Sequence, residues 1–363
     1  MIKFLFFPLL LFASQKALHI TFHAGCAGEI SAVCNHFAIE LDTWLLPSLP
    51  NHFLTGLKDT TPYIFSKDKA AQIYKLHKNT FDAYDMIITS DIAPLSRIFL
   101  QNHWEKPLLI WVCNRFDINV HRSGNKVFPD DPYHQLFKST NNMPNVEVIG
   151  FTPYEQYYAE KHKNIFAISQ TISPIGLNNS HKGIYKSVPA RIDKQTTVFI
   201  REYYNENNVG LSKRLTALKV KNYSGPFDGA LDIKDFKAMV HLPLVMSNFF
   251  LWENLSEGIV HFIPSKQFYA SQYKKTFSFI DWTKSTNPRN NLPIHEIFDH
   301  CEWYREDLVP LFVFFDSYEE IPHLLETTDF QAKKALISTF HRDHKQRSLE
   351  KWKEVFSRLL PMN

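Results

Sequence analysis

The chain predicts an α/β protein of two halves, each a parallel sheet covered by helices on both faces, with the halves facing each other across a cleft. Three observations carry this. Short apolar runs rich in β-branched residues alternate with helix-length amphipathic stretches, which is the pattern of strands buried on both sides. The alternation pauses at 171–195, which hold two Pro and two Gly with several Ser and Asn, and then restarts. A length of 363 residues suits two domains.

Composition narrows the class further. Apolar residues at 44% and charged residues at 21% are globular values, so a disordered, collagen-like or coiled-coil chain is excluded. Four Cys are too few for a disulfide scaffold, and no C-x2-C points to zinc. Forty basic residues against 37 acidic ones give +3, too balanced for non-specific nucleic-acid binding, so no nucleic-acid partner is expected. Aromatic residues at 15% suit large cores and aromatic-lined pockets.

Residues 1–13 (MIKFLFFPLLLFA) place one Lys before a continuous apolar run. The run falls short of the roughly 20 residues that span a bilayer and matches the apolar region of a secretory signal. Residues 1–17 are therefore expected to be a signal peptide. The mature chain would then lack a transmembrane span and be exported or enter the secretory pathway. The alternative is a buried first strand, which would leave the protein cytoplasmic. Export would let some of Cys26, Cys34, Cys113 and Cys301 pair; otherwise they read as buried thiols.

The first half, 18–175, opens with a strand at 18–23 (LHITFH), a glycine-bearing turn at 24–28 and a helix at 29–37. A strand is predicted at 38–44 and a helix at 67–81, with apolar positions at Ala70, Ile73, Tyr74 and Leu76. Buried strands follow at 84–89, 107–113 and 146–150, with helices at 93–101 and 154–162. Functional groups in such a sheet belong at the carboxyl ends of the strands. Those ends carry His23, Asp91 and the run Asn114, Arg115, Phe116, Asp117.

A linker is placed at 176–196, and the second half at 197–345. Its strands are predicted at 197–200, 219–224, 240–245, 259–264 and 311–315. Its helices are predicted at 211–218, 233–239, 249–257, 318–326 and 330–341. Residues 346–363 hold a closing amphipathic helix, with Leu349, Trp352, Val355, Phe356, Leu359 and Leu360 on one side.

Residues 247–265 (SNFFLWENLSEGIVHFIPS) place Glu253 on a helix and Gly258 five residues later, before a buried strand. This resembles the nucleotide-sugar half of GT-B-fold glycosyltransferases. In that family a glutamate so placed holds the donor ribose through its two hydroxyls, a task suited to an ionised carboxylate. Arg201, after the first strand of the second half, and Lys213, on the next helix, resemble the family's donor-diphosphate cations. The resemblance implies two Rossmann-like domains, a donor site at Arg201, Lys213, Glu253 and Gly258, and a last helix that returns to the first domain. The chain departs from the family at Val245, where retaining enzymes carry a second glutamate. It departs again at Met246, Ser247 and Asn248, where a glycine-rich loop is usual. Val245 leans toward inverting chemistry.

The function these residues imply is transfer of a sugar from a nucleotide-sugar to a hydroxyl of a glycan or other acceptor. No cofactor and no metal are expected. An inverting enzyme needs a base for the acceptor hydroxyl. Asp91 is the first candidate, although it could equally cap the following helix, and His23 is the second, although it could be a core histidine. Asn114, Arg115, Asp117, Ser247 and Asn248 are possible cleft residues, Arg115 and Asp117 alternatively forming a local ion pair. Glu253 could instead be a half-exposed helix carboxylate, and Arg201 with Lys213 a surface pair. An exported two-domain solute-binding protein is the competing reading, and a GT-B-like protein without activity the third. No G-x-S-x-G elbow, P-loop or G-x-G-x-x-G fingerprint occurs.

Overall fold

The computed structural model describes residues 15–48, 53–57, 59, 64–117, 122–123, 126–127, 131–176, 186–279 and 292–360. Most of the expected signal peptide, 1–14, lies outside the described residues, as does 177–185 of the expected linker. Lys16 and Ala17, placed in the signal on sequence, lie in the first strand.

The first half contains β1 (Lys16–Thr21), α1 (Ala24–His36), β2 (Glu40–Leu45), α2 (Lys67–Phe81), β3 (Met86–Asp91), α3 (Arg97–Leu100) and β4 (Leu108–Val112). A small antiparallel ribbon follows, β5 (Arg122–Ser123) with β6 (Lys126–Val127). Then come α4 (Asp131–Ser139), β7 (Val146–Gly150), α5 (Pro153–Tyr157) and β8 (Gln170–Thr171). The main sheet is parallel, in the order β2-β1-β3-β4-β7-β8. Its central strands β3 and β4 are almost wholly buried, which is why they read as continuous apolar runs.

The second half contains β9 (Val198–Ile200), α6 (Tyr204–Val209), α7 (Leu211–Ala217), β10 (Asn222–Tyr223), α8 (Ala230–Ile233) and β11 (Ala238–Val240). It continues with α9 (Phe249–Ser256), β12 (His261–Pro264), α10 (Lys266–Gln272), α11 (Ile294–His300), β13 (Val313–Phe315), α12 (Ile321–Thr327) and α13 (Phe330–Leu359). Its sheet is also parallel, in the order β10-β9-β11-β12-β13. Both sheets therefore start in the interior and reverse direction once, between β1 and β3 and between β9 and β11. The carboxyl ends of those strand pairs are the crevices where ligands bind in open α/β sheets. Two Rossmann-like halves with a returning C-terminal helix make the fold GT-B-like.

Three expectations are corrected. The glycine-bearing segment 24–28 is the first turn of α1 rather than a loop, because His23 caps the helix from outside it. Met239, placed in a helix on sequence, is in β11; the helix before it ends at Ile233. The two closing helices are one helix of 30 residues, since the polar stretch between them contains no Gly or Pro to interrupt it.

Helix α13 ties the halves together. Near its start Lys333 Nζ donates to the carbonyls of Pro310 (2.6 Å) and Phe312 (3.0 Å) in the second half. Near its end Trp352 meets Trp111 at 5.6 Å, Phe356 meets Phe37 at 5.5 Å, and Arg358 pairs with Glu147 at 2.6 Å. The other crossing, at 173–176, is held on several sides. The Glu29 carboxylate accepts the N–H groups of Ile175 and Gly176, His341 donates to the Ile175 carbonyl (2.7 Å) and His344 to that of Pro174 (2.8 Å). Ser256 donates to the Gly176 carbonyl at 3.0 Å.

Burial holds the imidazole of His261 down to about 3, with His241 adding to the effect. The folded state therefore keeps this group neutral where the unfolded chain, below about pH 6.5, would protonate it. Its contribution to stability is present above that pH and is lost as the pH falls toward 3. The pH slope of unfolding free energy should be steeper in wild type than in His261→Gln, by up to about 1.4 kcal/mol per pH unit. Urea titrations at a series of pH values measure this. Parallel slopes would mean that His261 titrates normally.

Candidate functional site

The residues at the first sheet's crevice meet those at the start of α9. His23 follows β1 and caps α1: its Nδ1 accepts the Gly25 N–H at 3.0 Å. Its ring stacks on Phe249, the first residue of α9, at 5.3 Å. Phe249 in turn packs on Trp111 at 5.8 Å and Phe151 at 4.9 Å. The second half thus inserts one aromatic ring into the first. A Cβ on Gly25 would lie 2.8 Å from His23 and 2.9 Å from Phe249, so glycine is what permits this approach. His23 itself remains solvent-exposed within the crevice.

Asp91 ends β3 across the same crevice. Its φ of 71° is a left-handed backbone for a residue with a side chain, which costs on the order of 1–3 kcal/mol and is typical of functional sites. Asn114 Nδ2 donates to its Oδ1 at 2.9 Å. Burial and the charge of Cys26 raise the Asp91 carboxyl to about 7, against the opposing effects of His23 and Asn114. Partial desolvation and the Gly25 N–H favour a neutral His23, but Cys26, Asp91 and Glu253 together outweigh them and raise its pKa. The crevice therefore holds an imidazole of raised basicity beside a carboxyl group raised to about 7. The short helix after β3 takes no side-chain cap, so Asp91 does not cap it. His23 is exposed and caps α1, unlike the buried His19, whose Nε2 bonds Ser90 Oγ at 2.8 Å.

On the second half, Arg201 follows β9. Its guanidinium lies 4.5 Å from the Phe250 ring centre and 5.6 Å from that of Tyr203. Beside it, at the carboxyl ends of β9 and β10, is an open cavity of about 670 Å³ lined by two cations, Lys186 and Arg201, one carboxylate, Glu202, and Asn207, Ser224 and Phe227, among others. Lys213 stands exposed on α7 and does not line that cavity. The second cation there is Lys186, which the sequence hid inside a linker. Glu253 is half-buried on α9 and acts electrostatically on His23 across the crevice.

The remaining candidates build the scaffold. Gly258 has φ of 72° and donates its N–H to the Leu255 carbonyl (3.1 Å), so it stops α9. Asn248 caps α9, its Oδ1 accepting the Leu251 N–H at 2.7 Å. Ser247 donates to buried Glu302, which also accepts from Trp252 Nε1 (3.0 Å), Ser173 (3.0 Å) and Arg305 (3.0 Å). Arg115 and Asp117 do not form the local ion pair. Arg115 is buried near Glu155, whereas Asp117 pairs with Lys163 at 3.2 Å and accepts from Tyr158 at 3.1 Å. Among the described residues no three His, Cys, Asp or Glu side chains converge as metal ligands, and no helix is long and apolar enough to cross a membrane.

No family model matches this chain, and no curated protein matches it. Solved structures do. The chain is similar to the glycosyltransferase SnogD from Streptomyces nogalater, at 8% identity and a TM-score of 0.45 over 94% of this chain and 100% of that one. It is similar to UGT89C1 of Arabidopsis thaliana complexed with UDP, at 11% identity and 0.47 over 96% and 100%. It is also similar to a UDP-N-acetylglucosamine 2-epimerase, at 9% and 0.48 over 95% and 96%. At such identities and TM-scores the likeness says nothing of chemistry, which has to come from the residues themselves.

Proposed function

We propose that the protein is a metal-independent, inverting glycosyltransferase that moves a sugar from a nucleotide-sugar donor to an acceptor hydroxyl. The observation that carries the reading is the pair His23 and Asp91, held at the reversal point of the first sheet and closed over by α9 of the second half. Asp91, a carboxylate of near-neutral basicity, takes the proton of the acceptor hydroxyl as that oxygen attacks the sugar. His23, its Nδ1 held by the Gly25 N–H, offers its Nε2–H as a donor to the oxygen that loses the proton. The donor diphosphate lies in the cavity at Arg201, with Lys186 as a second counter-charge to the departing phosphate. Glu253, half-buried on α9, is assigned to the donor ribose.

A thermal-shift panel of UDP, GDP and CMP with their sugars tests the donor site. One nucleotide at about 100 times its Kd should stabilise the fold by about 2.7 kcal/mol, and Arg201→Ala should lose most of that. A folded protein that responds to no nucleotide would overturn the reading in favour of a solute-binding protein.

A further inference from the structure

Cys26 and Cys113 lie 87 residues apart in the chain, yet their sulfurs are 3.6 Å apart in the fold, both as free thiols. Cys26 is on the first turn of α1 and Cys113 directly follows β4, so two separate elements bring them to the floor of the crevice. Neither binds substrate or moves a proton in the transfer step above. The other two cysteines are of another kind: burial pushes Cys34 up to about 12 and raises Cys301 as well. At Cys26 burial is outweighed by hydrogen bonds with Cys113, His23 and Ser90, which hold the thiol well below its usual range. Cys113 is partly exposed, and burial with the neighbouring Cys26 charge keeps it protonated. The pair therefore joins a nucleophilic sulfur to a second sulfur in contact with it.

We propose that Cys26 and Cys113 are a reversible thiol–disulfide couple in the floor of the crevice, with a small hydroperoxide as the oxidant. A small oxidant is required because Cys26 is fully buried. The Cys26 thiolate attacks one peroxide oxygen; an S–O bond forms, the O–O bond breaks, and the departing hydroxide takes a proton from solvent to become water. The Cys113 sulfur then attacks the Cys26 sulfenic acid; the S–S bond forms, the S–O bond breaks, and the hydroxyl leaves as water with the Cys113 proton. Two thiols give up two electrons, and one hydrogen peroxide becomes two waters.

The couple bears on the crevice because Cys26 faces His23 and Asp91, while Ser90 and Cys113 bond to it and Glu253 acts on His23 from α9. Oxidation removes the Cys26 charge that helps to hold both His23 and Asp91 up. The acid limb of sugar transfer then moves to lower pH. This consequence rests on the transferase reading, whereas the couple does not.

The experiment treats the full chain with graded hydrogen peroxide at pH 7, blocks free thiols with N-ethylmaleimide in denaturant, and maps the digest by mass spectrometry without reductant. A Cys26–Cys113 linked peptide should be the first cysteine product. It should disappear after dithiothreitol, with Cys34 and Cys301 recovered as blocked thiols. Cys113→Ser should stop at a Cys26 sulfenic acid that dimedone captures. Oxidation of Cys26 to sulfinic acid without a linked peptide, or methionine oxidation while both thiols stay free, would overturn the couple. A linked peptide with an unmoved acid limb would leave the couple standing and overturn its link to Asp91 and so to sugar transfer.

Discussion

Asp91→Asn is expected to lower kcat/KM for sugar transfer by about 10²–10⁴-fold, the usual range for loss of a general base, with nucleotide affinity unchanged. The amide keeps the shape of the carboxyl and the contact with Asn114, so the fold should tolerate it. Because the carboxyl is raised to about 7 and must be ionised to act, the wild-type rate should fall as the pH drops through 7, well above the ordinary carboxylate range. Asn114→Ala removes a hydrogen bond that favours the ionised form, so its acid limb should move to higher pH. The pH dependence of kcat/KM, with the nucleotide that the shift panel identifies, checks both. An Asp91→Asn variant of near wild-type rate would remove Asp91 from the chemistry.

The second large effect is on stability. Gly176→Ala should cost about 3–5 kcal/mol, a large share of a typical domain's total. A Cβ there would lie 2.2 Å from the Trp252 carbonyl oxygen and 2.5 Å from its carbon. Both are backbone atoms of α9, so no side chain can rotate aside. The residue also has φ of 79°, strained for alanine. Either the crossing at 173–176 or helix α9 must move, and Glu29 loses its grip on the two N–H groups. Gly258→Ala is the control: its φ is 72° but nothing lies within 4 Å, so only the conformational cost of about 1 kcal/mol applies. Urea unfolding of both variants makes the comparison, and equal losses would show that the contact with α9 is unimportant.

The strands were readable because parallel strands buried on both faces leave unbroken apolar runs. The run at 146–150 coincides with β7, and Leu108–Val112 lies inside its predicted span. Short helices such as α6 (Tyr204–Val209) and α11 (Ile294–His300) were missed because a turn or two carries too little periodicity. Asp91 and His23 could be singled out because strand ends are where ligand groups gather. What gathers around them could not be read. The Cys26 charge, the Asn114 bond and the Phe249 ring come from segments far apart in the chain, and nothing local marks their meeting. Gly25 was visible as a glycine, but its purpose depends on Phe249. Lys186 lay in a stretch whose composition reads as linker, and Ser247 and Asn248 looked like cleft residues although one anchors Glu302 and the other caps α9.

Helix α13 bears on how the chain is made. At 1.5 Å per residue it is about 45 Å long, and its last turns bring Trp352 against Trp111 of the first sheet and Phe356 against Phe37 at the end of α1. The sheet of the first half thus waits for side chains that are made more than 200 residues after its fourth strand. During translation the first half must persist with the Trp111 face uncovered until the second half has been built. A ribosome-bound intermediate with exposed aromatic surface, a substrate for chaperones, is built into this order of synthesis. Expression of residues 15–176 alone should give an aggregation-prone product, and supplying the α13 segment in trans should rescue its solubility.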